Sequence, residues 1–119
     1  MSKFTIYHNP RCTKSRETLQ LLRDSGTEPQ IVEYLKEPPT RRELRQIVRA
    51  LGIPARELIR RKEKLFAEVG DHDVRYTDSA AVNLMTEYPQ LIERPIVVGD
   101  DRAVIGRPPE NVLSLLEEA

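Results

Sequence analysis

Residues 5–16 read TIYHNPRCTKSR, and this stretch decides the predicted fold. The run of residues 4–7 is apolar and β-branched, which predicts a short buried strand. Asn9 and Pro10 predict a turn directly after that strand, and a helical pattern begins at Cys12. The sequence therefore predicts a strand, a turn and a helix whose N-terminus carries a cysteine.

Cys12 is the only cysteine among the 119 residues, and its position favours a reactive thiol. Unpaired backbone N–H groups and the positive end of the helix dipole stabilise an anion at a helix N-terminus, and the thiolate is the reactive form of cysteine. Positive charge, or the capacity for it, surrounds the thiol in sequence at His8, Arg11, Lys14 and Arg16. A buried, inert cysteine is the alternative, but this polar and basic segment favours a functional thiol.

Composition limits the class of protein. The length predicts a single domain over residues 1–119. Lys and Arg number 19, as do Asp and Glu, so overall charge gives no reason to expect nucleic acid or an anionic membrane as partner. No apolar run approaches the ~20 residues that cross a bilayer, and no signal-peptide pattern opens the chain. A lone cysteine suits a reducing compartment, so the cytoplasm is the predicted location.

The next part of the chain predicts a second strand and a helical region. Residues 30–35 predict a strand parallel to the first, because one helix and short loops separate the two. Thr40 and Glu43 predict a capping box before an amphipathic helix, which Gly52 ends. A short helix is predicted over residues 54–61, and a later one runs to residue 87.

The remaining segments complete the predicted fold. Residues 71–73 (Asp-His-Asp) predict a surface loop, and their spacing is too short for a metal site. Residues 94–105 predict a β-hairpin, and residues 110–117 predict a last helix. The order β-α-β, helical insertion, β-β-α predicts an α/β, thioredoxin-like fold with a four-stranded mixed sheet.

The chain resembles the glutaredoxin-coupled arsenate reductase family over essentially its whole length. The segments that carry the resemblance are Tyr7–Cys12 with Ser15-Arg16, Tyr34-Leu35 followed by Pro38-Pro39, Arg60, Glu93–Val98 and Gly106–Pro108. The active loop is Cys12-Thr13-Lys14-Ser15, where the well-characterised resistance enzymes carry Cys-Gly-Thr-Ser. Residues 106–110 are similar to a sister branch of that family.

The resemblance implies roles for the thiol and two of its neighbours. Cys12 would attack arsenate or a similar oxyanion. His8 would help to keep the thiol ionised, and Ser15 would support the thiolate. Pro95 looks like the cis-proline of this fold, and cis peptide bonds are almost confined to X–Pro.

Three arginines would hold the oxyanion, and the resemblance names them as Arg60, Arg94 and Arg107. Arginine suits this role because its planar guanidinium makes bidentate contacts with oxyanions. The residues alone do not distinguish Arg60 from Arg61 or Lys62.

A lone cysteine predicts an external reductant. Reduction of arsenate to arsenite needs two electrons, and Ser15 occupies the partner position of a Cys-x-x-Cys pair. We therefore expect glutathione as co-substrate, a mixed disulfide of Cys12 with glutathione, and a glutaredoxin that reduces it. No bound cofactor and no metal are expected.

Two other functions stay open at this point. A general glutathione-dependent thiol-disulfide reductase would use Cys12 and Ser15 but would have no need of three converging arginines. A non-enzymatic regulator that binds RNA polymerase is the other alternative. Many such regulators carry a second cysteine in the first loop, where this chain has Ser15.

Overall fold

A computed structural model describes residues 3–70 and 76–117. The elements in chain order are β1 (Thr5–His8), α1 (Thr13–Asp24), β2 (Gln30–Glu33), α2 (Arg41–Leu51), a 3₁₀ helix (Ala55–Leu58), α3 (Lys64–Val69), α4 (Asp78–Glu87), a 3₁₀ helix (Pro89–Leu91), β3 (Ile96–Val98), β4 (Ala103–Ile105), a 3₁₀ helix (Pro109–Val112) and α5 (Leu113–Glu117). They form two compact units, Met1–Glu37 with Arg94–Ala119 and Pro38–Glu93. The prediction of a single domain stays a prediction, and the predicted loop at residues 71–73 lies outside the described residues.

The first unit is built on a mixed sheet with strand order β2-β1-β3-β4. β1 pairs with β2 in parallel, so that Thr5 lies opposite Gln30 and His8 opposite Glu33. β3 is antiparallel to both β1 and β4. The predicted α/β fold, its parallel first pair and its C-terminal hairpin are therefore confirmed.

An apolar core joins the sheet of the first unit to its helices. The side chains that form it are Phe4, Ile6, Leu19, Leu22, Val97, Val112 and Leu115. Leu19 and Leu22 share one face of α1, as the helical spacing predicts. Gly26 follows the helix with φ of 84°, in the left-handed region that glycine adopts without steric cost. This packing fixes α1, and with it the N-terminus that carries Cys12, against β1.

The second unit consists of helices and short 3₁₀ segments. Thr40 and Glu43 form the predicted capping box, with reciprocal hydrogen bonds of 3.1 and 2.9 Å. Gly52 ends α2 with φ of 69°. Thr77 caps α4 by accepting a hydrogen bond from the backbone N–H of Ala80. Within the described residues, no helix is both long and apolar enough to cross a membrane.

The helix predicted over residues 54–61 is shorter than expected. The structure has a 3₁₀ helix at Ala55–Leu58, after which the chain becomes extended and Ile59 forms an antiparallel bridge with Ile92. The backbone N–H of Arg60 donates to the carbonyl of Leu91 at 2.7 Å. This long-range pairing competes with helix continuation, so Arg60 and Arg61 lie in a loop.

Candidate active site

The loop between β1 and α1 places the cysteine at the helix N-terminus. Cys12 is the N-cap residue, with extended backbone angles, and its carbonyl accepts the first helical hydrogen bond from Arg16 at 3.0 Å. The backbone N–H of Cys12 donates to the carbonyl of Asn9 at 2.9 Å. The side chain of Asn9 accepts from the N–H of Arg11 at 3.0 Å. The loop thus holds the half-buried sulfur where α1 presents its unpaired N–H groups.

Arg107 connects the thiol to the backbone that precedes β3. Its Nη2 donates to Cys12 Sγ at 3.3 Å, and its Nε donates to the carbonyl oxygen of Arg94 at 2.7 Å. The Arg94–Pro95 peptide bond is cis, which confirms the expectation for Pro95, and the Arg107–Pro108 bond is also cis. One guanidinium therefore bridges the Cys12 sulfur and the backbone in front of β3.

The surroundings of Cys12 favour its ionised form. Burial acts against the thiolate and raises the pKa of Cys12, but four groups together outweigh it and the pKa is lowered. These groups are the backbone N–H of Ser15, the charge of Arg107, a hydrogen bond from the Arg94 side chain and the backbone N–H of Lys14. The charges that act on the sulfur thus come from the far end of the sequence, and Lys14 acts through its backbone.

His8 and Ser15 form a buried pair beneath the loop. His8 Nδ1 lies 2.7 Å from Ser15 Oγ, which also accepts a hydrogen bond from the backbone N–H of Asn9 at 3.0 Å. Burial lowers the pKa of His8, the charge of Glu33 opposes this, and Arg23 and Arg16 add to it. The lowered pKa means that His8 is mainly neutral near pH 7, so it does not add the positive charge that the sequence suggested.

Arg60 belongs to the second unit, where two carboxylates hold it. Its Nε lies 3.6 Å from Glu63 Oε2 and its Nη1 lies 3.4 Å from Glu93 Oε1. The neighbouring Arg61 differs, because its guanidinium stacks 5.6 Å from the ring centroids of both Phe66 and Tyr76. The sequence alone did not distinguish Arg60 from Arg61, but in the structure Arg60 lies beside carboxylates and Arg61 beside aromatic rings.

The first unit brings together five of the six predicted site residues, namely His8, Cys12, Ser15, Arg94 and Arg107. Sequence reasoning missed a further polar residue there. Thr18 is fully buried, and its hydroxyl donates to the carbonyl of Lys14 at 2.8 Å and lies 3.4 Å from that of Gly106. The available signal was its place beside Leu19 and Leu22 on the buried face of α1. Among the described residues, no cluster of three or more His, Cys, Asp or Glu side chains could hold a metal.

The fold and this thiol site together define a class, that of thioredoxin-like proteins with one thiolate at the first helix N-terminus and arginines beside it. The family model described as the ArsC family matches residues 7–115. The chain belongs to the ArsC family.

Three similar proteins illustrate this membership. The uncharacterized protein YfgD of Escherichia coli (strain K12) is 49% identical over 93% of this chain and 94% of that protein. The arsenate reductase of the same strain is 44% identical over the whole chain and 84% of that protein. The solved structure of an arsenate reductase from Vibrio cholerae superposes with a TM-score of 0.87 at 46% identity, covering 95% of this chain and 97% of that one.

Proposed function

We propose that this protein is an oxidoreductase of the cytoplasm that reduces arsenate, or a similar oxyanion, through the Cys12 thiolate. The observation that carries the proposal is the 3.3 Å contact between Arg107 Nη2 and Cys12 Sγ at the N-terminus of α1. It puts a nucleophile of lowered pKa beside a cation that suits an oxyanion. Membership of a family whose relatives are named arsenate reductases supports arsenate as the substrate.

The first step joins sulfur to arsenic. The Cys12 thiolate bonds to the arsenic of hydrogen arsenate, whose hydroxyl group takes up a proton from the solvent; the arsenic–oxygen bond breaks and water leaves. Arsenic stays in its +5 state in this step, so the protein must bring two anions together without a change in oxidation state. Arg94 and Arg107 neutralise that charge, because both act on the sulfur before the substrate arrives.

The second step transfers the electrons, and its reductant is external to Cys12. A glutathione thiolate attacks the Cys12 sulfur, the sulfur–arsenic bond breaks, and its electron pair stays on arsenic, which leaves as arsenite. The two thiolates lose two electrons and remain joined as a Cys12–glutathione disulfide. A glutaredoxin thiolate then attacks the glutathione sulfur and releases the Cys12 thiolate. The presence of a single cysteine in the 119 residues supports this scheme.

The roles of the other predicted residues follow from their contacts. The backbone N–H of Ser15 lowers the pKa of Cys12, and His8 Nδ1 lies 2.7 Å from the Ser15 hydroxyl. The proposal that Arg60 binds the oxyanion rests on the family resemblance alone, and replacing Arg60 tests it separately. If Arg60 binds the oxyanion, Arg60→Gln should raise the KM for arsenate, while Arg61→Gln should leave it unchanged.

A coupled turnover assay tests the proposal. The protein is mixed with glutathione, a glutaredoxin, glutathione reductase and NADPH, and the loss of NADPH is followed with and without arsenate. Arsenate-dependent loss that disappears in Cys12→Ser supports an arsenate reductase. Mass spectrometry of the protein trapped during turnover should show glutathione attached to Cys12.

The control is an arginine on the same hairpin as Arg94 and Arg107 but at its turn. Arg102→Gln should keep full activity, whereas Arg94→Gln should raise the KM for arsenate about tenfold, the loss expected for one charge-assisted hydrogen bond. No arsenate-dependent loss in the unmodified protein contradicts the proposal. Loss with a glutathione mixed disulfide as substrate would then favour a general thiol-disulfide reductase. No loss of NADPH with either substrate would favour a regulator that binds RNA polymerase.

A further inference from the structure

We propose that Thr18 and Gly106 are positioning residues that set the contact between Arg107 and the Cys12 sulfur. Neither residue touches the sulfur, and their proposed role in turnover rests on the function proposed above. Both lie in the first unit, Thr18 on α1 and Gly106 in the segment between β4 and Arg107.

Gly106 is packed so closely that a side chain has no room there. A Cβ at this position would overlap Thr18 Oγ1 and would lie 3.0 Å from Thr18 Cγ2 and 2.8 Å from Pro95 Cγ. Its backbone N–H also donates to the carbonyl of Pro95 at 2.9 Å. The backbone of Gly106 is therefore held between α1 on one side and the cis-proline segment on the other.

Thr18 packs against Gly106 and is not exposed to solvent. It is fully buried, and its hydroxyl donates to the carbonyl of Lys14, one turn closer to Cys12. Its methyl group and hydroxyl both face Gly106. Because the Thr18 hydroxyl reaches the carbonyl of Lys14 and also lies 3.4 Å from that of Gly106, Thr18 links the first turn of α1 to the segment that precedes Arg107.

The packing of Gly106 sets the distance between the Arg107 guanidinium and the Cys12 sulfur. Arg107 follows Gly106 directly, and its guanidinium reaches both Cys12 Sγ and the carbonyl of Arg94. An added methyl group at residue 106 must separate the segment from α1 or from Pro95, because real Cβ atoms avoid contacts under 3.0 Å. That separation lengthens the Arg107–Cys12 contact of 3.3 Å and removes part of the stabilisation of the thiolate.

The experiment is the pH profile of Cys12 alkylation by iodoacetamide, which needs no arsenate. The Cys12 thiol of Gly106→Ala should be alkylated about threefold more slowly than that of the unmodified protein at pH 6, the factor that corresponds to a rise of half a pKa unit. At high pH, where both thiols are ionised, the two rates should be equal. Thr18→Ala, which keeps the glycine but removes its support, should change the profile in the same direction by less. The double variant Thr18→Ala with Gly106→Ala should recover much of the loss, since it removes two of the three overlaps.

The matched control is Gly99→Ala, on the same hairpin but at its turn. A Cβ there would lie 3.3 Å from the ring of Phe4 and 3.5 Å from the carbonyl of Arg102, and its alkylation profile should not change. Unchanged profiles in both single variants would overturn the proposal, and so would a double variant slower than Gly106→Ala. If Gly106→Ala does not fold, the profile of Thr18→Ala decides.

Alkylation of Cys12 and turnover of arsenate test the positioning role and the proposed function separately. If the unmodified protein reduces arsenate, Gly106→Ala should also raise the KM for arsenate several-fold more than it lowers kcat. If the unmodified protein does not reduce arsenate, the proposed function fails, and the alkylation profiles still confirm or refute the positioning role.

Discussion

Replacing Arg107 by methionine is the sharpest test of the thiolate site. Methionine has a similar length and no charge, so Arg107→Met deletes the contact of 3.3 Å with Cys12 Sγ and the hydrogen bond to the Arg94 carbonyl. At that separation two unit charges interact by about 1 kcal/mol in bulk water and about 5 kcal/mol at an effective dielectric constant of 20. Both residues are partly buried, so a value between these limits applies, about 2 kcal/mol.

This energy predicts a measurable change in thiol reactivity. Since 1.36 kcal/mol corresponds to a factor of ten in proton affinity, about 2 kcal/mol lowers the thiolate fraction of Cys12 roughly thirtyfold below its pKa. Iodoacetamide alkylation of Arg107→Met at pH 6 should therefore be slower, by up to roughly thirtyfold, and the difference should decrease as the pH rises and both thiols become ionised. The sign follows from the charge: a nearby cation lowers the pKa of a thiol, and its removal raises it.

Two further variants control the measurement. Arg107→Lys keeps the charge but cannot donate to the sulfur and to Arg94 in the same geometry, so its rate at pH 6 should be intermediate. Arg102→Met removes one charge at the turn of the hairpin and should leave the rate unchanged. An Arg107→Met protein that is folded and alkylates at pH 6 as fast as the unmodified protein would refute the reasoning.

Three other predictions concern stability and the reductant. Burial lowers the pKa of His8 below 6.5; the unfolded chain therefore takes up a proton first, and stability should fall as the pH decreases from 6.5 through the folded-state pKa. Chemical denaturation should show a smaller fall for His8→Gln. Thr40→Ala removes the capping bond to Glu43 and should lower the free energy of unfolding by about 1 kcal/mol; Thr40→Ser should restore most of it in urea denaturation. Replacing the exposed Arg11 and Lys14 by Gln should slow cleavage of a Cys12 mixed disulfide by the glutathione thiolate about threefold at low ionic strength, and should slow cleavage by the 2-mercaptoethanol thiolate, which carries less negative charge, by a smaller factor.

Local signals in the sequence predicted most elements of the fold. The capping box of Thr40 and Glu43 is a contact between residues three apart, so its residue types suffice to recognise it. The same holds for Gly52, whose left-handed backbone ends α2. The length of the helix after Pro54 was wrong because a long-range pairing, that of Ile59 with Ile92, decides where it ends.

The sequence and its resemblance named the candidate residues of the site, but not the contacts between them. The thiol at the N-terminus of α1 follows from one turn and one helix. The charges that act on it come from Arg107 and Arg94, about eighty to ninety-five positions further along the chain, and sequence spacing does not report such distances. Thr18 was missed for the same reason, since its partner Gly106 lies on another element. The roles of His8, Ser15 and Arg60 stay predictions that the variants above test.

The N-cap of α1 has one further consequence, which concerns the lifetime of an oxidised Cys12. Ser, Thr, Asp and Asn are preferred at this position because their side chains accept a hydrogen bond there, whereas here the cap residue is Cys12. A mixed disulfide at Cys12 loses the negative charge that the helix dipole and Arg107 stabilise, and its reduction restores that charge. A thiolate of lowered pKa is also a good leaving group. The contacts that make Cys12 attack readily therefore make its disulfide short-lived in the presence of another thiol, and favour return to the reduced enzyme.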